Sequence, residues 1–131
     1  MGIHPNKIIN VESLSDSDRY DYFVRKVADF NVVWGLFKVG WATSENIKTI
    51  AVPFWPEKDF AERCSIENWS GFEPKPIPLD EFLSKWLPGM QSDNRVCQVF
   101  PTRESQGFVV TPAVLRSGLI IEASQYLQLP K

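Results

Sequence analysis

Histidine occurs once in this chain of 131 residues, as His4, and cysteine twice, as Cys64 and Cys97. One imidazole near the N-terminus leaves no His-dependent triad and no zinc site built on histidines. The two cysteines stand outside any CxxC arrangement. They read as small buried hydrophobes, with a disulfide left open by their spacing alone. The phosphate-cradling patterns GxxxxGKS/T and GxGxxG are missing, as is the GxSxG nucleophile elbow. No catalytic residue, metal or cofactor is assigned from these patterns, and metal chemistry by carboxylates alone is left open. An excess of positive charge is lacking too: fourteen Lys and Arg face sixteen Asp and Glu, for a net charge of -2. Nucleic-acid partners, which need a concentrated basic patch to displace counterions, are not expected. No apolar stretch approaches the ~20 residues that cross a bilayer. The N-terminus has neither the basic start nor the apolar run of a signal peptide. A myristoylation signal fails as well, because Asn6 stands where Ser or Thr is wanted. The expected location is the cytoplasm, away from membranes.

What remains is an aromatic-rich globular composition, 44% hydrophobic and 13% aromatic, with five Trp and nine Phe. A chain of this length is one domain that buries roughly two-thirds of its unfolded surface. Residues 1–13 show no clean periodicity and read as an arm; residues 14–131 form the domain. SLSDSD supplies N-cap candidates for a helix over 16–30, with Tyr20, Phe23, Val24 and Val27 on one side. Asp18, Arg19, Asp21, Arg25 and Lys26 fall mainly on the other. VVWGLF, a short strand from Trp41, a turn at Glu45-Asn46 and a longer strand ending at Pro53 read as three antiparallel neighbours. KPIPLDEFLSKWLPGM reads as an extended segment and a helix with a stripe of Leu79, Phe82, Leu83, Trp86 and Leu87 that stops at Pro88-Gly89. RVCQVFP and QGFVVTP form a hairpin, and residues 112–127 close the chain as a helix. The fold class is α+β: a mostly antiparallel sheet of about five strands with three or four helices.

VPFWPEKDFAERC places Phe54 and Trp55 between two prolines at a strand-to-helix corner, with Phe60, Ala61 and Cys64 as the stripe of the helix that follows. These aromatics are either core or a recognition surface held at the end of a strand. Trp34 and Trp86 are core by pattern. Trp41, Trp55 and Trp69 lie at a turn, a corner and a proline-stiffened loop, where an aromatic seals a core edge or anchors a partner. Phe72 shares the loop with Trp69. Among carboxylates, Glu57, Asp59 and Glu62 fall on the second helix and Asp80 and Glu81 on the third, where acids serve as dipole partners or, if buried in a pair, as acid and base.

FVRKVAD, VVWGL with GWATSE, VPFWPEKDFA, GFEPKPIPLDEFLSKWLPGM, VFPT and GFVVTP together resemble the bacterial DUF2750 family of uncharacterised proteins, from about Tyr20 to Val114. The resemblance implies a small cytosolic single-domain bacterial protein and supplies no activity or catalytic residue.

Two readings compete. In the first the chain is a non-enzymatic protein-binding or regulatory module with an unknown protein partner, and it can pair as a homodimer through Leu119-Ile120-Ile121. Trp55, Trp69, Phe72 and Trp41 form its surface. An immunity or antitoxin role is a narrower version by analogy of size and charge. In the second it is a small enzyme or small-molecule-binding protein, with Asp59, Glu62 or Asp80 as acid or base near the corners and Cys64 as nucleophile.

Overall fold

A computed structural model describes residues 3–45 and 48–127, with side chains placed through 125. Asn46, half of the expected turn, lies outside these residues. The architecture is α+β: six strands in two mostly antiparallel sheets, with five helices among the described residues. Helix α1, Pro5–Glu12, occupies what was expected to be an arm. His4 caps it, its Nδ1 accepting from the Asn6 N–H at 3.1 Å. Val11 is buried, and Glu12 forms a two-point ion pair with Arg63 at 2.8 and 2.9 Å. Eight residues are too few for a hydrophobic period to stand out in sequence, and tertiary contacts supply what the pattern could not.

Ser15 caps helix α2, Asp16–Phe30, through its hydroxyl. Its buried face carries Phe23, Val24 and Val27 as expected. It also carries Arg19, only 3% exposed, which the charge pattern had set among the residues of the polar side. Asn31 ends the helix in the left-handed conformation.

Strand β1, Val32–Phe37, pairs antiparallel with β4, Glu73–Pro78. The second sheet has the order β2-β3-β5-β6, with β2 at Ser44–Glu45, β3 at Ile50–Phe54, β5 at Val96–Val99 and β6 at Phe108–Val110. The β5–β6 hairpin matches expectation, whereas β3 and β5 run parallel. The first three strands are not consecutive neighbours: β1 takes β4 as its ladder partner. It meets β3 only at the corner, where Trp34 and Trp55 exchange both backbone hydrogen bonds, at 2.9 and 2.8 Å.

This exchange explains how a strand with proline at Pro74, Pro76 and Pro78 can pair at all. Trp34 spends its backbone groups on Trp55, so it is not hydrogen-bonded to Pro76 opposite it. Alternate residues of a strand aim their backbone groups at the same edge, so all three missing donors fall on the outer edge of β4. Glu73, Lys75 and Ile77 are left to bond Phe37, Gly35 and Val33. Gly35 has a second role. A Cβ there would lie 2.9 Å from the Trp41 ring, so its absence lets Trp41 fold back over the strand and meet Trp86 edge-on at 4.7 Å.

Helix α3 is Lys58–Arg63, and a single 3-10 turn, Glu67–Trp69, follows it. Helix α4 comprises Leu79–Glu81, a π-helical stretch Phe82–Trp86 and Leu87–Ser92, so it runs through Pro88-Gly89 rather than stopping there. Leu87 N–H reaches back five residues to Phe82. The Leu83 carbonyl then has no donor four residues on, where Leu87 is already engaged, nor five residues on, where proline stands. Arg116 Nε of helix α5, Pro112–Leu127, donates to that carbonyl at 3.1 Å. The proline is tolerated because a neighbouring helix replaces the lost bond.

Candidate functional site

Phe54 and Trp55 are fully buried. The corner that presents them is the junction of the two sheets, and Trp55 faces inward because its backbone is committed to Trp34. Its side chain defines where the site begins. The Trp55 indole N–H donates to the Pro101 carbonyl at 2.8 Å, and the Cys64 thiol approaches the same oxygen at 3.4 Å. Above Pro101 opens a cleft of about 350 Å³, between the turn at 66–69 and the loop at 101–106. Gln98 of β5 and Cys64 at the end of α3 also line it.

Gln98 is the decisive side chain. It sits on the central strand β5, flanked in register by Pro53 and Val109, and is 5% exposed. Its Oε1 is buried and accepts no hydrogen bond. A buried acceptor without a donor costs about 1–3 kcal/mol, which folded proteins seldom leave uncompensated.

The wall opposite is held unusually firmly. Phe100 has φ 54°, a left-handed conformation disfavoured for an aromatic residue, while its N–H bonds Phe54 at 2.8 Å. Gly107 has φ 80°, and a Cβ there would lie 2.4 Å from the Val99 carbonyl oxygen. Between them, Ser105 Oγ donates to Asp16 at 2.6 Å and accepts from Gly107 N–H at 3.1 Å and from Arg19 Nη2 at 3.0 Å. The buried Arg19 guanidinium also donates to the carbonyls of Phe100 (3.2 Å), Glu12 (3.3 Å) and Leu14, and pairs with Asp16. One cation thus joins the end of α1, the start of α2 and both ends of the cleft loop. On the facing side Glu67, which lines the cleft, has φ 52°. Glu67 and Phe100 are the left-handed residues other than Asn and Gly among the described ones; Glu67 lines the cleft and Phe100 immediately precedes its lining residue Pro101. Strained backbone of this kind costs of order 1–3 kcal/mol and concentrates at functional sites.

The sequence candidates distribute unevenly around this cleft. Trp69 is half-buried in its wall, perpendicular to Trp55 at 5.9 Å, with its indole N–H donated to Thr43 at 3.0 Å. Trp55 lies beneath the cleft and cannot itself contact a partner. Trp41 and Phe72 lie outside the lining. Trp41 packs on Phe37 and Trp86, and Lys75 Nζ sits 5.5 Å from its ring centroid. Of the proposed acid-base residues, Asp59 accepts from the Ile3 N–H at 2.6 Å, Glu62 is exposed on α3, and Asp80 borders a separate depression with Asn31, Leu79 and Leu83. None of the three lines the cleft. Among the described residues no group of three or more His, Cys, Asp or Glu could hold a metal ion. Cys64 does line the cleft, but burial pushes its thiol up to about 11, so it is held protonated rather than activated. Both cysteines are free.

A family model described as "Protein of unknown function (DUF2750)" matches residues 20–119. The chain belongs to this family. The DUF2750 match contains every lining residue of the cleft and begins one residue after Arg19. No curated protein and no solved structure matches the chain. No helix among the described residues of this DUF2750 protein is long and apolar enough to cross a membrane.

Two outcomes test this geometry. A thiol shifted from 9.0 to about 11 has about 100-fold less thiolate at pH 8, so iodoacetamide should alkylate native Cys64 at least that much more slowly than the unfolded chain. Equal rates in the two states would contradict the burial described. Arg19→Met should lower unfolding stability by about 3 kcal/mol in urea titration, since several buried acceptors lose a charged donor. A change under about 0.5 kcal/mol, the range of ordinary surface substitutions, would show that Arg19 does not hold the loop.

Proposed function

We propose that this DUF2750 protein is a non-enzymatic binding or regulatory module whose ligand enters the cleft between residues 66–69 and 101–106. One observation carries the reading: Gln98, an uncharged polar residue buried at the floor of the cleft, keeps a side-chain oxygen without a hydrogen-bond partner. The volume of about 350 Å³ falls at the small end of the range for small-molecule sites. The pinned loop supports the same reading, because a wall already in its bound shape loses little entropy when a ligand arrives. The protonated Cys64 thiol, and the absence of Asp59, Glu62 and Asp80 from the cleft, weigh against the enzymatic alternative. The two free, buried thiols favour a reducing compartment, and we place the protein in the bacterial cytoplasm.

A second reading, contact with another protein, is favoured by exposed apolar side chains on the edge strand β6 and on α5. Val109 is 52% exposed and Ile121 60%, with Phe108 and Val114 also exposed. Leu119, expected to take part in such a surface, is instead fully buried, so only Ile120 and Ile121 of that run remain available. A homodimer or a heterologous protein complex would use this face rather than Trp55.

Gln98→Met tests the first reading in two directions. Removing an unsatisfied acceptor should raise the stability of the free protein by about 1 kcal/mol, measured by urea unfolding, and abolish the thermal stabilisation that small polar compounds give the wild type. Loss of stability in Gln98→Met, together with no compound stabilising the wild type, would sink it. For the second reading, native mass spectrometry of the purified chain should show a dimer that Val109→Lys with Ile121→Lys disperses; a monomer at every concentration would remove the homodimer.

A further inference from the structure

We infer that the cleft takes a neutral, hydroxyl-rich ligand, a mono- or disaccharide, that sits over the uncharged floor at Gln98 with its ring along the Trp69 side of the wall. The inference rests on the cleft being a ligand site and adds the chemical class.

The floor excludes most alternatives. Its buried residues are Gln98, Cys64 and Pro101, none of them charged. An anionic group brought to this depth would meet a thiol already directed at Pro101 and no cation. A cationic group would find no buried carboxylate, and desolvating a charge without a counter-charge is costly. The charged lining residues, Glu67, Arg103 and Glu104, are all exposed, carry both signs and stay in water. The group that reaches the floor is therefore a neutral polar one, such as a hydroxyl or an amide.

The wall selects between these. Asn68 and Gln106 add two carboxamides to that of Gln98, and each carboxamide offers a donor beside an acceptor. A ring bearing vicinal hydroxyls presents the same alternation on neighbouring carbons, every hydroxyl both giving and taking. Trp69 brings an apolar face: its indole N–H is spent on Thr43, so the ring alone is left for the ligand. That suits the C–H side of a sugar ring, which is apolar while its edge is polar. An extended peptide would need backbone groups in a row, and the loop's own backbone is occupied internally, Thr102 and Ser105 bonding each other at 2.9 and 3.4 Å. A cleft of about 350 Å³ holds one or two sugar rings rather than a long chain.

The test is saturation-transfer NMR on the full chain with glucose, galactose, mannose, N-acetylglucosamine and ribose, run beside adenosine, uridine and N-acetylglycinamide. At least one sugar should show saturable transfer and quench tryptophan fluorescence, with affinity falling at least tenfold in Gln98→Met and in Trp69→Leu. Trp41→Phe, remote from the cleft, should leave it unchanged. Gln98→Met is expected to be folded and more stable, so loss of binding in that variant cannot be ascribed to unfolding. If no sugar binds while a nucleoside or the amide does so in a Gln98-dependent way, the saccharide assignment is overturned and the cleft stands as a site. If nothing binds and Gln98→Met is destabilised, both fall. Sugar binding unaffected by Gln98→Met would overturn the assignment by locating the sugar elsewhere.

Discussion

Two backbone hydrogen bonds between Trp34 and Trp55 join the two sheets of this protein at one corner, and much of the remaining geometry follows from them. They turn the residue after β3 out of its own sheet and into the edge of β1. With its main chain so committed, Trp55 has one place for its indole, the interior, and there the N–H meets the Pro101 carbonyl. The same pair leaves β1 free to accept a proline-rich partner on its other edge, because only alternate residues of β1 need donors from β4. Sheet junction, cleft floor and β4 pairing are three consequences of one contact.

The cleft wall depends on a second device. Burying a guanidinium is tolerable only when its donors are satisfied, and Arg19 satisfies them with three carbonyls, a carboxylate and a hydroxyl drawn from separate stretches of chain. That requirement holds the loop in place while Phe100 and Gly107 sit in left-handed conformations at its two ends. Strain at the rim and rigidity behind it belong together, since a loosely held loop would relax the strain. Among the described residues, the buried side-chain polar atom left out of this accounting is Gln98 Oε1.

Much of the fold was legible because it rests on local signals: the cap candidates of SLSDSD, the apolar stripes of α2, α3 and α4, the β5–β6 hairpin. What escaped were the non-local choices. Nothing near β1 says that its partner is β4 rather than the next strand, and nothing near Pro88 says that Arg116, far along the chain, replaces the hydrogen bond it removes. The site was legible only in part. Of the aromatics singled out in the sequence, Trp69 lies in the cleft wall and Trp55 beneath it, while Trp41 and Phe72 lie outside the lining. Gln98 was visible as the one polar residue inside VCQV, and Arg19 as a charge beside a helix cap. Neither pattern separates a buried polar residue from a solvated one, because burial is decided by elements distant in sequence.

The proline spacing of β4 reaches beyond its own pairing. An outer edge whose donors are missing at every second position is a poor template for another strand, so proline spacing itself closes the two-stranded sheet to growth on that side. Strand addition, whether by a partner or by misassembly, is thereby confined to the other sheet, where β2 and β6 are the terminal strands. The molecule is polarised in its capacity to associate: one end chemically inert to β-pairing, the other open to it.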